Sequence, residues 1–254
     1  MNDHDFAADL ARSAGRVLLE VRERLELAGA SASELKAAGD EAAHEHLMAR
    51  LAAERPGDAV LSEEGRGAEG PSGTTRLTAD RVWIVDPLDG TREFSEPPRS
   101  DWAVHVALVR DGRPVAGAVA LPAQDEVLCT VPASPLPPPP PPVPRVIVSR
   151  SRPPAIALHV AEAIGGELVE LGSAGAKVAA VVQGRADVYP HAGGQYEWDS
   201  CAPVAVAEAA GLLATRLDGS ELVYNRPDPY LPDLLVCHPA LIDVVRGAID
   251  AWLP

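Results

Sequence analysis

The chain has 254 residues, 46% of them hydrophobic, and a formal net charge of −15. That length holds one large domain or two small ones, and the hydrophobic content is enough to bury a core. The negative charge argues against a nucleic-acid polymer or an anionic membrane as partner. It leaves a small phosphorylated substrate open, because bound cations reverse the local charge. Cys129, Cys201 and Cys237 are widely spaced, with no Cys-x-x-Cys, as expected of reduced thiols in a cytosol. The acidic N-terminus lacks the pattern of a secretion signal, and no apolar run is long enough to cross a membrane, so a cytoplasmic location is expected.

Phe6, Leu10, Val17, Val21 and Leu25 recur at helical spacing and predict a first amphipathic helix. Residues 41–54 predict a second, with Leu47 and Leu51 on one face and Pro56-Gly57-Asp58 as its stop. Ala59-Val60-Leu61 reads as a short strand leading into Ser62-Glu63-Glu64, followed by a Gly- and Ser-rich loop from Gly65 to Thr75. The apolar residues Val82 to Val85 predict a buried strand that delivers Asp86 and Asp89 to its C-terminal end. Pro87 stiffens the turn that follows, and Gly90 lets the backbone come close to a ligand. Residues 102–109, 115–121 and 126–131 predict a meander with a turn at Asp111-Gly112.

The stretch Pro135–Pro144 is nearly all proline, stiff and extended, and unable to enter a sheet interior. It divides the chain into an N-terminal α+β half, 1–134, and a C-terminal half, 145–254. Its simplest reading is a linker; docking into a partner's aromatic groove is the alternative. The second half alternates in α/β order. Strands are expected at 146–148, 168–171, 187–189, 212–214 and 234–236, and helices at 155–164, 174–183, 201–210 and 241–252.

Four acidic residues, Glu63, Asp86, Asp89 and Asp199, each follow a strand or open a helix, so all four can face one cleft. Paired carboxylates beside a Gly-Thr corner suit a hard divalent cation and a phosphate. Asp199 also reads as a plain helix N-cap, and Glu63-Glu64 as a solvated loop pair. His44 and His46 lie two apart on a helix and make a poor metal pair, while Trp83 and Trp102 read as core.

Taken together, Glu63-Glu64, then Trp83-Ile84-Val85-Asp86-Pro87-Leu88-Asp89-Gly90-Thr91, then Trp198-Asp199-x-x-Ala202-Pro203 closely resemble the inositol monophosphatase superfamily. The resemblance runs over nearly the whole chain. It implies a layered α-β-α-β-α sandwich and a lithium-sensitive, Mg²⁺-dependent phosphomonoesterase with two or three ions per site. Carried over by residue, it implies Glu63, Asp86, the Leu88 carbonyl, Asp89 and Asp199 as metal ligands, with Glu63 also among the catalytic residues. The amides of Gly90 and Thr91 would hold the phosphate, and Thr91 with Asp40 would orient or deprotonate the attacking water. The segment Lys36-Ala37-Ala38-Gly39-Asp40 departs from the usual Ser- or Thr-rich pattern, and Gly39-Asp40 also reads as a helix start.

The ending Thr91-Arg92-Glu93-Phe94 and the segment Gly172-Ser173-Ala174-Gly175-Ala176-Lys177 resemble the CysQ-type branch. That branch implies adenosine 3′,5′-bisphosphate as substrate, with Ser173 and Lys177 at the nucleotide alongside Leu88, Asp89 and Asp199. His191 stands where inositol phosphatases carry a glutamate; it favours a second phosphate or is a surface loop residue. Arg150 and Arg152 either reach that phosphate or form a solvated turn. The rivals are fructose 1,6-bisphosphatase, inositol 1-phosphatase and a non-catalytic Mg²⁺ or nucleotide sensor. The resemblance also implies a homodimer.

Overall fold

The computed structural model describes residues 1–65 and 74–252, so most of the loop expected between Gly65 and Thr75 lies outside the described residues. The first sheet contains β1 (Ala59–Ser62), β2 (Val82–Asp89), β3 (Ala103–Arg110), β4 (Arg113–Leu121) and β5 (Glu126–Cys129) in the order β1-β2-β3-β4-β5. Only β1 and β2 pair in parallel. The second contains β6 (Arg145–Ser149), β7 (Glu167–Leu171), β8 (Val188–Tyr196), β9 (Leu213–Thr215) and β10 (Tyr230–Cys237) in the order β7-β6-β8-β10-β9. Here β6 pairs in parallel with β7 and β8, and β10 is antiparallel to its neighbours.

Helices fill the spaces on and between the sheets. The helices α1 (Asp3–Leu27) and α2 (Ala32–Glu54) cover the outer face of the first sheet. A short helix, α3 (Thr91–Phe94), follows β2. On the far face of the second sheet lie α4 (Ala155–Ala163) and α7 (Ile242–Trp252). Between the sheets lie α5 (Ala174–Val182) and α6 (Glu197–Ala209). The result is the expected α-β-α-β-α sandwich. The period-2 alternation of β2 explains how one strand serves two layers. Trp83 and Val85 pack with Phe6 and Leu10 of α1, while Val82 and Ile84 pack with α5 and α6.

The boundaries differ from expectation at three places that matter for the site. A capping box between Ser31 and Glu34 starts α2 at Ala32, well before residue 41, so Asp40 sits in a helix interior and not at a helix start. The strand β8 runs on to Tyr196 instead of ending near residue 189. In turn α6 opens at Glu197 rather than Cys201, which puts Asp199 in its first turn. The proline stretch joins β5 to β6 and is pinned to the second half. Pro137 and Pro144 are buried, and the Pro137 carbonyl accepts from His238 Nε2 at 3.2 Å.

Gly39 decides how closely α2 can approach the end of β2. A Cβ there would lie 2.7 Å from Phe94 Cε1 and 2.9 Å from Leu88 Cδ2, so α2 packs directly on α3 only because residue 39 lacks a side chain. Gly39→Ala is therefore expected to destabilise the fold by about 1–3 kcal/mol, the usual cost of overpacking. Chemical denaturation of the two proteins checks this, and equal midpoints and slopes would show that α2 is not held at that distance.

Candidate active site

The site forms where β2 ends. Asp86 and Leu88 are buried in the last turn of that strand, and Leu88 N–H donates to Asp86 Oδ1 at 3.0 Å. Asp89, one residue further, reaches across to the start of α5. Its carboxylate accepts from Ala174 N–H at 3.2 Å, from Gly175 N–H at 2.6 Å and from the Ser173 hydroxyl. Ser173 is the N-cap of α5, so Asp89 sits where the helix presents unpaired N–H groups and positive charge. Asp199 comes from the first turn of α6, where its Oδ2 accepts from Tyr196 N–H at 2.6 Å. Oxygen atoms of Asp86, Asp89 and Asp199 lie within 4.8 Å of one another. Glu63, just after β1, lies close enough for the charges of Asp199 and Asp89 to act on it.

Four carboxyl groups this close cannot all be charged without compensation. Loss of solvation and the Asp199 charge push Glu63 up to about 7. Burial and Asp89 likewise push Asp199 up to about 7. Burial, reinforced by Glu63, raises Asp86 well above the carboxylate range. Asp89 is the exception. Burial acts to raise it, but His105, Ser173 and Lys177 pull it down to about 2. Asp86 Oδ2 is buried with no hydrogen-bond partner. An orphaned carboxylate oxygen amid three further carboxyl groups is a donor set that fits Mg²⁺, which prefers hard oxygen ligands.

Thr91 and Asp40 meet beside this cluster. Thr91 Oγ1 lies 3.4 Å from Asp40 Oδ1 and 3.2 Å from the Leu88 carbonyl, with the hydroxyl as donor. Thr91 opens α3, immediately after Gly90. A cleft of about 390 Å³ is lined by Asp89, Gly90, Arg152, Ser173 and Asp199, among others.

The residues expected around a second phosphate are arranged differently from a simple basic rim. Lys177 is only 4% exposed. Its Nζ donates to the carbonyls of Gly172 and Ser173 and lies 5.4 Å from the Tyr189 ring centre. Burial lowers its pKa to about 8. His191 is held neutral at pH 7, because burial and then the Lys177 charge lower it to about 4. It offers a hydrogen bond rather than a charge. Arg150 is committed to Glu93 at 2.9 Å and Glu96 at 3.1 Å, whereas Arg152 lines the cleft. His44 and His46 bond to Ser62 and Ser13, and neither belongs to the Asp86, Asp89 and Asp199 group.

Sequence reasoning missed one residue here. His105 lies in β3, wholly buried, with Nε2 3.2 Å from Asp89 Oδ2. Its only signal in the sequence is a single histidine in an otherwise apolar strand.

Comparison with known proteins identifies the family and the fold. The family model described as "Inositol monophosphatase family" matches residues 2–133 and 146–249. The chain is 50% identical over 248 residues to a protein of Mycobacterium tuberculosis named 3′-phosphoadenosine 5′-phosphate phosphatase, covering 94% of this chain and 90% of that protein. Among solved structures, CysQ from Bacteroides thetaiotaomicron superposes with a TM-score of 0.77 at 30% identity, covering 91% of this chain and 95% of the other. Inositol monophosphatase II from Staphylococcus aureus has a TM-score of 0.79 at 21% identity, covering 97% and 93%, and so shares the fold. With its carboxylate cluster, its five layers and a match over both halves, the chain belongs to the inositol monophosphatase family.

Proposed function

We propose that this protein is a Mg²⁺-dependent phosphomonoesterase that removes the 3′-phosphate of adenosine 3′,5′-bisphosphate and leaves AMP. The observation that carries the reading is the cluster of Glu63, Asp86, Asp89 and Asp199 facing the Asp40–Thr91 pair. The substrate follows from half identity to a relative named for that activity. Free thiols, and the lack of any helix among the described residues able to cross a membrane, support a cytosolic enzyme. Sedimentation of the purified protein decides whether it forms the homodimer expected from the resemblance.

In this reading Glu63, Asp86, the Leu88 carbonyl, Asp89 and Asp199 hold the cations. Bound Mg²⁺ would neutralise the phosphoryl oxygens and acidify the attacking water. The amides of Gly90 and Thr91 open α3 and bind the phosphate. Water donates to Thr91 Oγ1, whose own proton is directed at Asp40, so Asp40 is the general base. A bond forms between the water oxygen and phosphorus as the 3′ O–P bond breaks, and the departing 3′ oxygen takes a proton from solvent. Ser173, His191 and Arg152 supply hydrogen bonds and charge to the rest of the nucleotide, while Lys177 fixes the loop that carries Ser173.

The reading is tested by phosphate release from adenosine 3′,5′-bisphosphate, fructose 1,6-bisphosphate and inositol 1-phosphate, with Mg²⁺ and with added Li⁺. Lithium-sensitive turnover that prefers the nucleotide is expected. A preference for either other substrate would overturn the specificity but keep the metal chemistry, and no turnover of any would overturn the enzyme reading. The roles of the residues separate kinetically. Asp40→Asn should lower kcat by about 10²–10⁴, the usual range for a general base, with the half-saturating Mg²⁺ concentration unchanged. Asp86→Ala should abolish turnover together with Mg²⁺ binding.

Mg²⁺ affinity should rise steeply from pH 6 to pH 8. Without metal, Glu63 and Asp199 titrate near 7, so at pH 6 they carry protons that a cation must displace. For the same reason the metal-free protein binds more protons folded than unfolded between about pH 4 and pH 7, and these groups cost stability as pH rises through that window. Titration calorimetry at pH 7 in two buffers of different ionisation enthalpy should show proton release on Mg²⁺ binding. Affinity that is flat with pH would contradict the shared-proton cluster.

A further inference from the structure

We infer that His105 is a positioning residue that holds the two segments carrying the acidic cluster at a fixed separation. The inference rests on the cation site proposed above. His105 comes from the middle of β3, which pairs antiparallel with β2, and Asp86 lies directly opposite it. Its ring is 0% exposed. Nδ1 lies 3.0 Å from the Trp198 carbonyl. A carbonyl only accepts, so Nδ1 carries a hydrogen and donates. The residue after Trp198 is Asp199. On the other side of the ring, Nε2 lies 3.2 Å from Asp89 Oδ2 and has no aligned hydrogen-bond partner. The same imidazole thus touches the backbone beside Asp199 on α6 and the carboxylate of Asp89 on β2. Among the described residues no other side chain is shown in contact with both places.

The space for the ring is reserved by Gly175. A Cβ at that position would lie 2.0 Å from His105 Nε2. The Gly175 N–H in turn donates to Asp89 Oδ2 at 2.6 Å. Asp89 is therefore gripped from one direction by the start of α5 and from the other by His105. Residues that orient a metal's ligands in this way change affinity about 10–100-fold when removed, without touching the metal.

Mg²⁺ binding to the substrate-free protein, measured by titration calorimetry, tests this without any turnover. His105→Asn can keep the donor to the Trp198 carbonyl but is too short to reach Asp89. His105→Gln places its amide where Nε2 stood. Wild type and Gln should bind alike within about threefold, and Asn should bind at least about tenfold more weakly. Gly175→Ala, which displaces the ring, should weaken binding as Asn does. Thermal denaturation without metal accompanies each titration, and if Asn does not fold, the comparison of Gln with Gly175→Ala decides. A purely structural role predicts variants that differ in melting temperature but share one Mg²⁺ affinity, and that result overturns the inference. Wild type that binds no Mg²⁺ overturns the cation site and this inference together.

Discussion

The Asp89 carboxylate at the N-terminus of α5 is the contact on which the rest of the site depends. It joins the end of a strand in the first sheet to a helix in the central layer. A single charged group satisfies Ser173 Oγ and the N–H groups of Ala174 and Gly175. Charge-assisted hydrogen bonds are roughly twice as strong as neutral ones, and a helix N-terminus favours negative charge. Against burial, His105, Ser173 and Lys177 draw Asp89 alone of the cluster down to about 2, while Glu63 and Asp199 are pushed to about 7. The fold thus keeps one carboxylate ionised and leaves its neighbours near neutrality in their titration.

The central helical layer makes this possible. Both α5 and α6 lie between the two sheets and share one apolar core with each. Their N-termini reach the end of β2 together, so Ser173 and Asp199, both from the second half of the chain, line one cleft with Asp89 of the first half. The apolar interior around them makes the clustered carboxylates expensive without compensation. Hydrogen bonds from Ser173 and Gly175 to Asp89 and from Tyr196 to Asp199, together with the nearby His105 and Lys177, supply it. The same scarcity of solvent makes each charge count for more in the chemistry.

Basic side chains around the cleft divide by what already holds them. Arg150 answers Glu93 and Glu96, and Lys177 answers two carbonyls and a tyrosine ring. These groups shape the walls of the cleft. Arg92 and Arg152 line it, and Arg92 is also paired with Glu96. A sequence shows the number of positive residues near a motif but not which of them are already neutralised by a partner.

The sequence by itself determined the layers and the acidic residues of the candidate site. Period-2 and period-3.6 patterns fix which faces of β2 and α1 are apolar, and those faces allow little freedom in what they pack against. The run from Trp83 to Thr91 puts its carboxylates at the end of a strand through local rules alone, because Pro87 and Gly90 act on their nearest neighbours. Only the tertiary structure decided the contacts between elements distant in the chain. Asp40 faces Thr91 because Gly39 lets α2 close on Phe94, 55 residues later. His105 reads as one polar residue in an apolar strand until Trp198 and Asp89 are brought to its two nitrogens. His191 reads as a base until burial and Lys177 make it neutral. Local sequence encodes backbone conformation and side-chain chemistry, whereas protonation and pairing depend on what packing places within a few ångströms, and that is a property of the folded chain as a whole.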